Sequence, residues 1–231
     1  MTPRPTLSEQ HPDLESGIKE SAWQQINEKG AAALSLRGIA RSLGITAPAI
    51  YNYFPNRDAL VTALIVDAYL SLAESQRRAL VPLSQDDHPL RLRTLGLAYR
   101  QWALAHPGQY NLIFGTPIPN YHAPLEITGP AAGQSMFALI ETIDAAYRAG
   151  KLDVVELSPE LMAMVAPWVE KFGYDGHPCV IHYTVASWAQ IHGLVSLELF
   201  GHFSAVDGQA ATDALFTAEI NATIERIGIR K

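Results

Sequence analysis

Apolar residues recur at intervals of three or four positions along most of the chain, and proline or glycine interrupts the pattern between successive runs. This period is that of an amphipathic α-helix, whereas a half-buried strand would alternate every second residue. No alternating run bounded by hairpin turns occurs in the sequence. The sequence therefore predicts an all-α protein. The predicted helices are 14–30, 35–44, 46–54, 56–79, 89–105, 108–114, 129–149, 159–172, 179–203 and 208–227.

Composition and the single cysteine limit the class of protein. Hydrophobic residues make up 48% of the 231 residues and charged residues 17%, which excludes a disordered chain. The sequence has no apolar run of about eighteen residues that could cross a bilayer, and its start lacks the basic and apolar stretches of a signal peptide. We expect the lone thiol of Cys179 to be buried as a small hydrophobic group. The sequence thus predicts a globular cytoplasmic protein without a membrane segment.

The chain is predicted to have three parts. Residues 1–13 contain three prolines and no helical period, so they should form a flexible tail. Residues 14–60 should form a helix-turn-helix domain, and residues 61–231 a larger helical domain. The first 80 residues carry eight basic and eight acidic side chains, while the whole chain has a net charge of −6. This balance does not by itself indicate a nucleic acid partner.

The segment 35–54 combines two short helices and a tight turn, which is helix-turn-helix spacing. Ser35 is placed to cap the first of these helices, and Gly44 is placed to end it. Thr46 is placed to cap the second helix, and Pro48 lies in its first turn, where a missing N–H costs little. Asn56 is placed to cap the helix that follows. Any corner between two helices could show this pattern, so the spacing alone does not establish DNA binding.

The residue types in and around the second short helix favour contact with DNA. Side chains that the core does not need are small or carry a hydroxyl or amide, so this surface can enter a major groove and reach phosphates. Arg37 and Arg41 on the helix before it and Arg57 on the helix after it flank this surface, and arginine suits two-point contact with guanine or phosphate. The predicted contact residues are Arg37, Thr46, Ala47, Pro48, Ala49, Tyr51, Asn52, Tyr53 and Arg57.

This region resembles the TetR family of transcriptional regulators over about residues 14–65. The resemblance implies a homodimer whose paired recognition helices, here 46–54, read two half-sites of a palindromic operator in double-stranded DNA. The residues that carry it are Leu36, Ile39, Ala40, Leu43, Gly44, Ile45, Ala49, Ile50, Tyr51, Tyr53, Phe54, Arg57, Asp58 and Leu60.

Three positions depart from the pattern of some family members. Arg57 stands where many members carry lysine, which keeps a phosphate contact possible. Ala47 and Ala49 replace longer polar residues. Base readout would therefore depend on Arg37, on methyl contacts and on Tyr51.

The C-terminal part resembles the WHG-type domain of one TetR subgroup, and the stretch from Tyr99 to Gly115 is similar to that subgroup's ligand-binding region. This resemblance implies a helical C-terminal domain for ligand binding and dimerisation. The residues that carry the first likeness are Trp188, His192, Gly193, Leu194, Val195, Leu197, Leu199, Phe200, Gly201 and Phe203.

Aromatic residues beyond position 98 indicate where an effector could bind. Any one of them is more simply a core residue, but several have a hydroxyl or indole N–H that needs a partner when buried. Such a set suits an apolar cavity with a few polar points. Because no basic cluster accompanies them, the expected effector is an apolar or aromatic small molecule. The predicted ligand residues are Tyr99, Trp102, Tyr110, Phe114, Phe137 and Trp168.

The predicted helix 179–203 has one formally charged residue, Glu198, and is apolar on nearly every side. Such a helix must be covered all round, and in a domain of this size a second subunit is the expected cover. Gly193 would permit close approach of another helix. Together with helix 208–227, this segment predicts a homodimer through residues 179–227.

Metal and enzyme functions have little support in the sequence. His182, His192 and His202 share one predicted helix at intervals of ten, and ten residues advance a helix by roughly 15 Å, too far for one ion. No hydrolase elbow, phosphate-binding glycine loop or zinc-protease motif occurs, so we expect no catalysis, metal or cofactor. The predicted function is a regulator, taken as a repressor, that a small molecule releases from DNA. The alternative is a helical small-molecule-binding protein or enzyme without DNA binding.

Overall fold

The computed structural model of the protein describes residues 12–203 and 208–231. This part of the chain forms ten α-helices, one short 3-10 helix and no strand, which confirms the all-α prediction. The predicted tail, residues 1–13, lies almost entirely outside the described residues. The helices are α1 Pro12–Lys29, α2 Leu36–Ser42, α3 Ala47–Tyr51, α4 Arg57–Leu80, α5 His88–Ala105, α6 Pro107–Phe114, α7 Leu125–Arg148, α8 Pro159–Phe172, α9 Pro178–Leu199 and α10 Gln209–Arg226, with the 3-10 helix Ala31–Ala33 after α1.

The chain divides into two compact units. The first contains the described residues up to Tyr69 and the segment His106–Ala131, and the second contains Leu70–Ala105 and the chain from Ala132 onward. Helices α4 and α7 each contribute residues to both units.

The core of the first unit is built from apolar residues of α1 to α4. Ile18, Ile39, Ile50 and Leu60 are fully buried there. Ile50 is the one fully buried residue of the short helix α3, and burying a side chain of this size contributes about 1.5–3 kcal/mol. This single anchor holds α3 against the core and leaves its other side chains outside.

Local capping follows the sequence at two of three predicted sites. The Ser35 side chain accepts a hydrogen bond from the Gly38 backbone N–H at 3.2 Å, and Asn56 Oδ1 accepts one from the Ala59 N–H at 2.8 Å. Gly44 has a φ of +66°, a left-handed conformation that glycine adopts without strain, so the turn after α2 is confirmed.

The prediction that Thr46 caps α3 with its side chain is wrong, since Thr46 makes no such hydrogen bond. A cap bonds the second or third N–H of a helix, but Pro48 has none and the Ala49 N–H bonds the Thr46 carbonyl at 3.0 Å. Helix α3 also ends at Tyr51 rather than at residue 54. The Tyr53 N–H bonds the Ile50 carbonyl three residues back, which tightens the chain into a turn before Pro55.

Helix α7 starts four residues earlier than predicted, at Leu125 instead of residue 129. Pro130 therefore lies inside the helix and not in its first turn. The Pro124 carbonyl accepts the backbone N–H of Ile127 and of Thr128, and also the Thr128 hydroxyl at 3.1 Å. These bonds stabilise a first turn that comes before the proline.

Helix α9 packs against α5, α8 and α10 of the same chain. These neighbours bury eight of its residues, from Cys179 to Val195. The chain itself therefore covers much of α9, for which a second subunit was the predicted cover. The burial of Cys179 is as predicted. The helix ends at Leu199 instead of residue 203, because Gly201 follows with a φ of +77° and turns the chain.

Candidate nucleic-acid interface and ligand cavity

Helix α3 presents polar and small side chains outward. Thr46, Pro48, Tyr51 and Asn52 are exposed, and Tyr51 keeps 42% of its surface accessible. The alanines at 47 and 49 are partly exposed between them. A small surface with two hydroxyl groups and an amide has the shape and chemistry to enter a DNA groove.

Arg37 is exposed on the first turn of α2, and Arg41 is exposed on its last turn. The Ser35 cap fixes the start of this helix and therefore the direction in which Arg37 leaves it. Both arginines are free to extend toward a nucleic acid backbone or base edge.

Arg57, predicted to contact phosphate, has a structural role within the first unit. Its Nη2 donates hydrogen bonds to the carbonyl oxygens of Ala31 at 3.1 Å and Ala32 at 3.2 Å, and its Nη1 lies 3.6 Å from Asp58 Oδ1. The guanidinium thus satisfies the backbone of the 3-10 helix that follows α1. Tyr53, another of the predicted contact residues, is half-buried.

The second unit contains an apolar cavity of about 40 Å³ between α4, α5, α7, α9 and α10. Two polar side chains that line it are buried and carry oxygen atoms without a hydrogen-bond partner among the described residues, Gln76 Oε1 and Ser187 Oγ. A buried oxygen without a partner costs about 1–3 kcal/mol. The lining residues are Gln76, Leu92, Leu95, Gly96, Tyr99, Leu139, Ser187, Trp188, Ile191, Ile220 and Thr223.

Tyr99 connects this cavity to a half-buried histidine, His192. Its hydroxyl lies 2.8 Å from Nδ1 of His192, and Trp188 packs beside the same ring at 5.1 Å between centroids. Burial lowers the pKa of His192, because the imidazolium would lose its hydration there. The neutral ring can accept the tyrosine proton.

The six predicted ligand residues do not share one site. Tyr99 lines the cavity, whereas Tyr110 and Phe114 belong to the first unit, where their rings lie 5.2 Å apart. Trp102 is buried, and its indole N–H donates to Ser71 Oγ at 3.0 Å.

The remaining two aromatic residues, Phe137 and Trp168, both contact Phe172 in the second unit, at 5.4 and 5.8 Å between ring centroids. Neither of them lines the cavity beside Tyr99.

Gln76 and Ser187 were not among the ligand residues predicted from the sequence. Each is nevertheless a polar residue at a core position of its helix, which the sequence shows. Gln76 falls at the next four-residue step of the apolar stripe Leu60, Leu64, Ala68 and Leu72 on α4. A polar residue at a core position of a helix is unusual unless it has a partner or a ligand. Ser187 has the same character on α9, between the buried residues Tyr183 and Ile191.

Two features are absent from the described residues. These residues contain no group of three or more histidine, cysteine, aspartate or glutamate side chains arranged to hold a metal ion. They also contain no helix that is both long enough and apolar enough to span a membrane.

The geometry of α2, Gly44 and α3 defines a helix-turn-helix protein of the transcriptional regulator class. Residues 18–64 match the bacterial regulatory proteins of the tetR family, and residues 92–223 match the tetracyclin repressor-like C-terminal domain. The chain belongs to the TetR family, as the resemblance in its sequence predicted.

Known relatives agree with this assignment. The HTH-type transcriptional regulator Rv1816 of Mycobacterium tuberculosis is 34% identical over 194 residues, which are 83% of this chain and 83% of that protein. A crystal structure described as that of a regulatory protein, SCO4313, superposes with a TM-score of 0.79 at 34% identity and covers 97% of this chain and 100% of that one. RolR in complex with resorcinol shares the fold, with a TM-score of 0.52 at 16% identity over 96% of this chain and 91% of that chain.

Proposed function

We propose that this TetR-family regulator is a repressor that binds a palindromic operator as a homodimer and leaves it when a small apolar molecule binds. The observation that carries the proposal is the outward face of α3, where Thr46, Pro48, Tyr51 and Asn52 are exposed around the single buried anchor Ile50. These two hydroxyls and the amide can donate and accept hydrogen bonds with base edges and phosphates.

A dimer is supported by a stripe of small and apolar residues on α9. Ala189 and Leu197 are exposed, and a Cβ placed on Gly193 would meet no atom within 4 Å. Helix α10 continues the surface with exposed alanines, and α9 and α10 pack against each other. Two such helix pairs, one from each subunit, would form a four-helix interface. The exposed small and apolar residues of α10 on this surface are Ala211, Ala214, Leu215, Ala218 and Ala222.

The effector site that we propose is the cavity beside Tyr99. Its wall is mostly aliphatic, so the ligand should be apolar, and Gln76 Oε1 requires a donor such as a hydroxyl or N–H group on that ligand. The complex of RolR with resorcinol, a small molecule, shows that this fold can hold such a ligand. A ligand contact for the other five predicted aromatic residues stays a prediction.

The size of the cavity supplies a mechanism. A volume of about 40 Å³ holds only a few water molecules, whereas a cavity that holds benzene is about 150 Å³. The ligand must therefore favour an expanded arrangement of the surrounding helices. Gln76 lies on α4, which starts at Arg57 in the helix-turn-helix unit, so we infer that α4 transmits the expansion to the DNA-binding helices.

The DNA arm of the proposal is tested by selecting bound sequences from a random duplex library and measuring affinity for the enriched site. Arg37→Ala should weaken that site by about 1–3 kcal/mol and relax one base position. Arg148→Ala, which removes an exposed arginine of the second unit, is the matched control and should change neither. If no sequence is enriched over random DNA, the alternative of a binding protein without DNA function replaces this proposal.

The effector arm is tested with Gln76→Leu and Ser187→Ala, which remove the unpartnered oxygens. Both should leave the fold and operator affinity intact, because replacing a buried polar atom that has no partner is close to neutral. A molecule that releases the wild-type protein should need a higher concentration to release either variant. An unchanged response in both variants would place the effector site elsewhere.

A further inference from the structure

A groove in the second unit shares no lining residue with the cavity beside Tyr99. It lies between the end of α4, the loop after it, the start of α5 and the middle of α7, and its volume is about 370 Å³, within the size range of small-molecule sites. The residues that line it are Ala73, Arg77, Leu80, Val81, Gln85, Arg91, Gln134, Phe137, Ala138, Glu141 and Thr142.

Arg91 is the unusual side chain of this groove. Its Nη1 atom is buried and has no hydrogen-bond partner among the described residues. A guanidinium keeps its charge at every ordinary pH, so burying one of its N–H groups without an acceptor is costly. An acceptor from outside the chain, above all an anionic oxygen, would remove that cost.

The charges around the groove limit the charge of the ligand. Arg77 already contacts Glu74, and Glu141 is exposed on the wall. Arg78 shares Glu74 with Arg77, and these three side chains together with Arg91 and Glu141 sum to one positive charge. This balance suits a monoanion, whereas a phosphate monoester carries about −1.5 to −2 and would meet Glu141 without enough positive charge.

Apolar side chains are accessible close to the charged atom. Phe137 is 40% exposed and Val81 is 78% exposed, although both are large hydrophobic residues. The amides of Gln85 and Gln134 are exposed along the same groove and can donate hydrogen bonds. The groove thus offers one cationic group, neutral donors and an aromatic wall.

We propose that this groove binds a small organic monocarboxylate with an apolar or aromatic body. The guanidinium of Arg91 binds the carboxylate, and Phe137 and Val81 contact the body. Arginine favours a carboxylate because two parallel N–H groups match its two oxygens. The proposal does not depend on DNA binding or on an effector in the cavity beside Tyr99.

The test is calorimetric titration of the full chain with benzoate and octanoate, each compared with its neutral counterpart, benzyl alcohol or octanol. Each carboxylate should bind at least about tenfold more tightly than its alcohol, because only the carboxylate offers Arg91 a charged acceptor. A tenfold difference in affinity corresponds to about 1.4 kcal/mol. The proposal is overturned if each carboxylate binds no more tightly than its alcohol. It is also overturned if neither carboxylate binds at concentrations up to millimolar.

Variants locate the site. Arg91→Gln should weaken benzoate binding by about tenfold or more, and Arg91→Lys should recover only part of the loss. Arg78→Gln is the matched control, because it makes the same substitution at an arginine that contacts Glu74 and does not line the groove. This variant should bind benzoate as tightly as the wild type does. Thermal unfolding of each variant shows that it is folded.

Two further results would overturn the groove as the site. One is benzoate binding that Arg91→Gln leaves unchanged. The other is benzoate binding that is lost in Gln76→Leu and kept in Arg91→Gln, which would assign the ligand to the cavity beside Tyr99.

Discussion

The guanidinium of Arg100 binds the carboxylate of Glu198 at two points, with Nε 2.7 Å from Oε2 and Nη2 2.6 Å from Oε1. Both side chains are nearly covered, with 7% and 10% of their surface exposed. The ring of Phe216 lies 4.2 Å from the centre of the guanidinium, and Asp213 accepts a third hydrogen bond at 2.7 Å. Glu198 raises the pKa of Arg100 further by hydrogen bonding to it. The one charged residue predicted in α9 is therefore half of a buried ion pair that joins α5 to α9.

Breaking this pair should destabilise the second unit. Glu198→Gln is expected to lower the free energy of unfolding by up to about 3–5 kcal/mol, because it leaves the buried Arg100 charge with only the half-exposed Asp213 as an ionic partner. Asp213→Asn should cost less than Glu198→Gln, since the Asp213 side chain is 55% exposed. Urea unfolding followed by circular dichroism measures both values. Equal losses in the two variants would mean that burial does not control the strength of the pair.

Gly193→Leu should separate the proposed dimer without unfolding the monomer. The chain leaves open space at Gly193, and leucine favours a helix more than glycine does, so each subunit should stay folded. Sedimentation should change from about twice 25.2 kDa for the wild type to 25.2 kDa for the variant. Gly17→Leu, at a helical glycine of α1 that also meets open space, is the control and should remain dimeric. A Gly193→Leu dimer of unchanged affinity would place the interface elsewhere.

Arg57→Ala should weaken both the fold of the first unit and its binding to DNA. Loss of the bonds to the Ala31 and Ala32 carbonyls should reduce the free energy of unfolding by about 1–3 kcal/mol. If Arg57 also contacts a phosphate, binding to every DNA sequence should weaken and the salt slope should fall by about one unit, at a temperature where the variant is folded. A loss of stability with an unchanged salt slope would assign Arg57 a structural role alone.

The stability of the protein should depend on pH through His192. Burial lowers the pKa of His192 in the folded chain, while in the unfolded chain it stays near its ordinary value of about 6.5. Between these two pKa values the unfolded chain binds more protons, so the free energy of unfolding must fall as the pH decreases below about 6.5. His192→Gln should lose this part of the pH dependence, and His122→Gln, at an exposed position, should keep it. Identical pH profiles for wild type and His192→Gln would contradict the prediction.

The sequence by itself determined the order of the helices, two of the three predicted caps and the turn of the helix-turn-helix. The Ser35 and Asn56 caps join atoms three residues apart, and the Gly44 turn depends on the conformation of one residue. Such features require only local geometry, so residue type and spacing are enough to predict them. The long ordered match over about residues 14–65 predicted the family, because a resemblance of this kind depends on residue identities in order along the chain.

Only the tertiary structure decided which distant side chains meet. The partner of Glu198 lies 98 positions away, at Arg100. Gln76 and Ser187 line one cavity from α4 and α9. The sequence shows no basic cluster beside the predicted aromatic ligand residues, yet Arg91 of α5 shares a groove with Phe137 of α7. Contacts between helices depend on which helices pack together and on the angle between them, and neither is written in the spacing of residues along one helix.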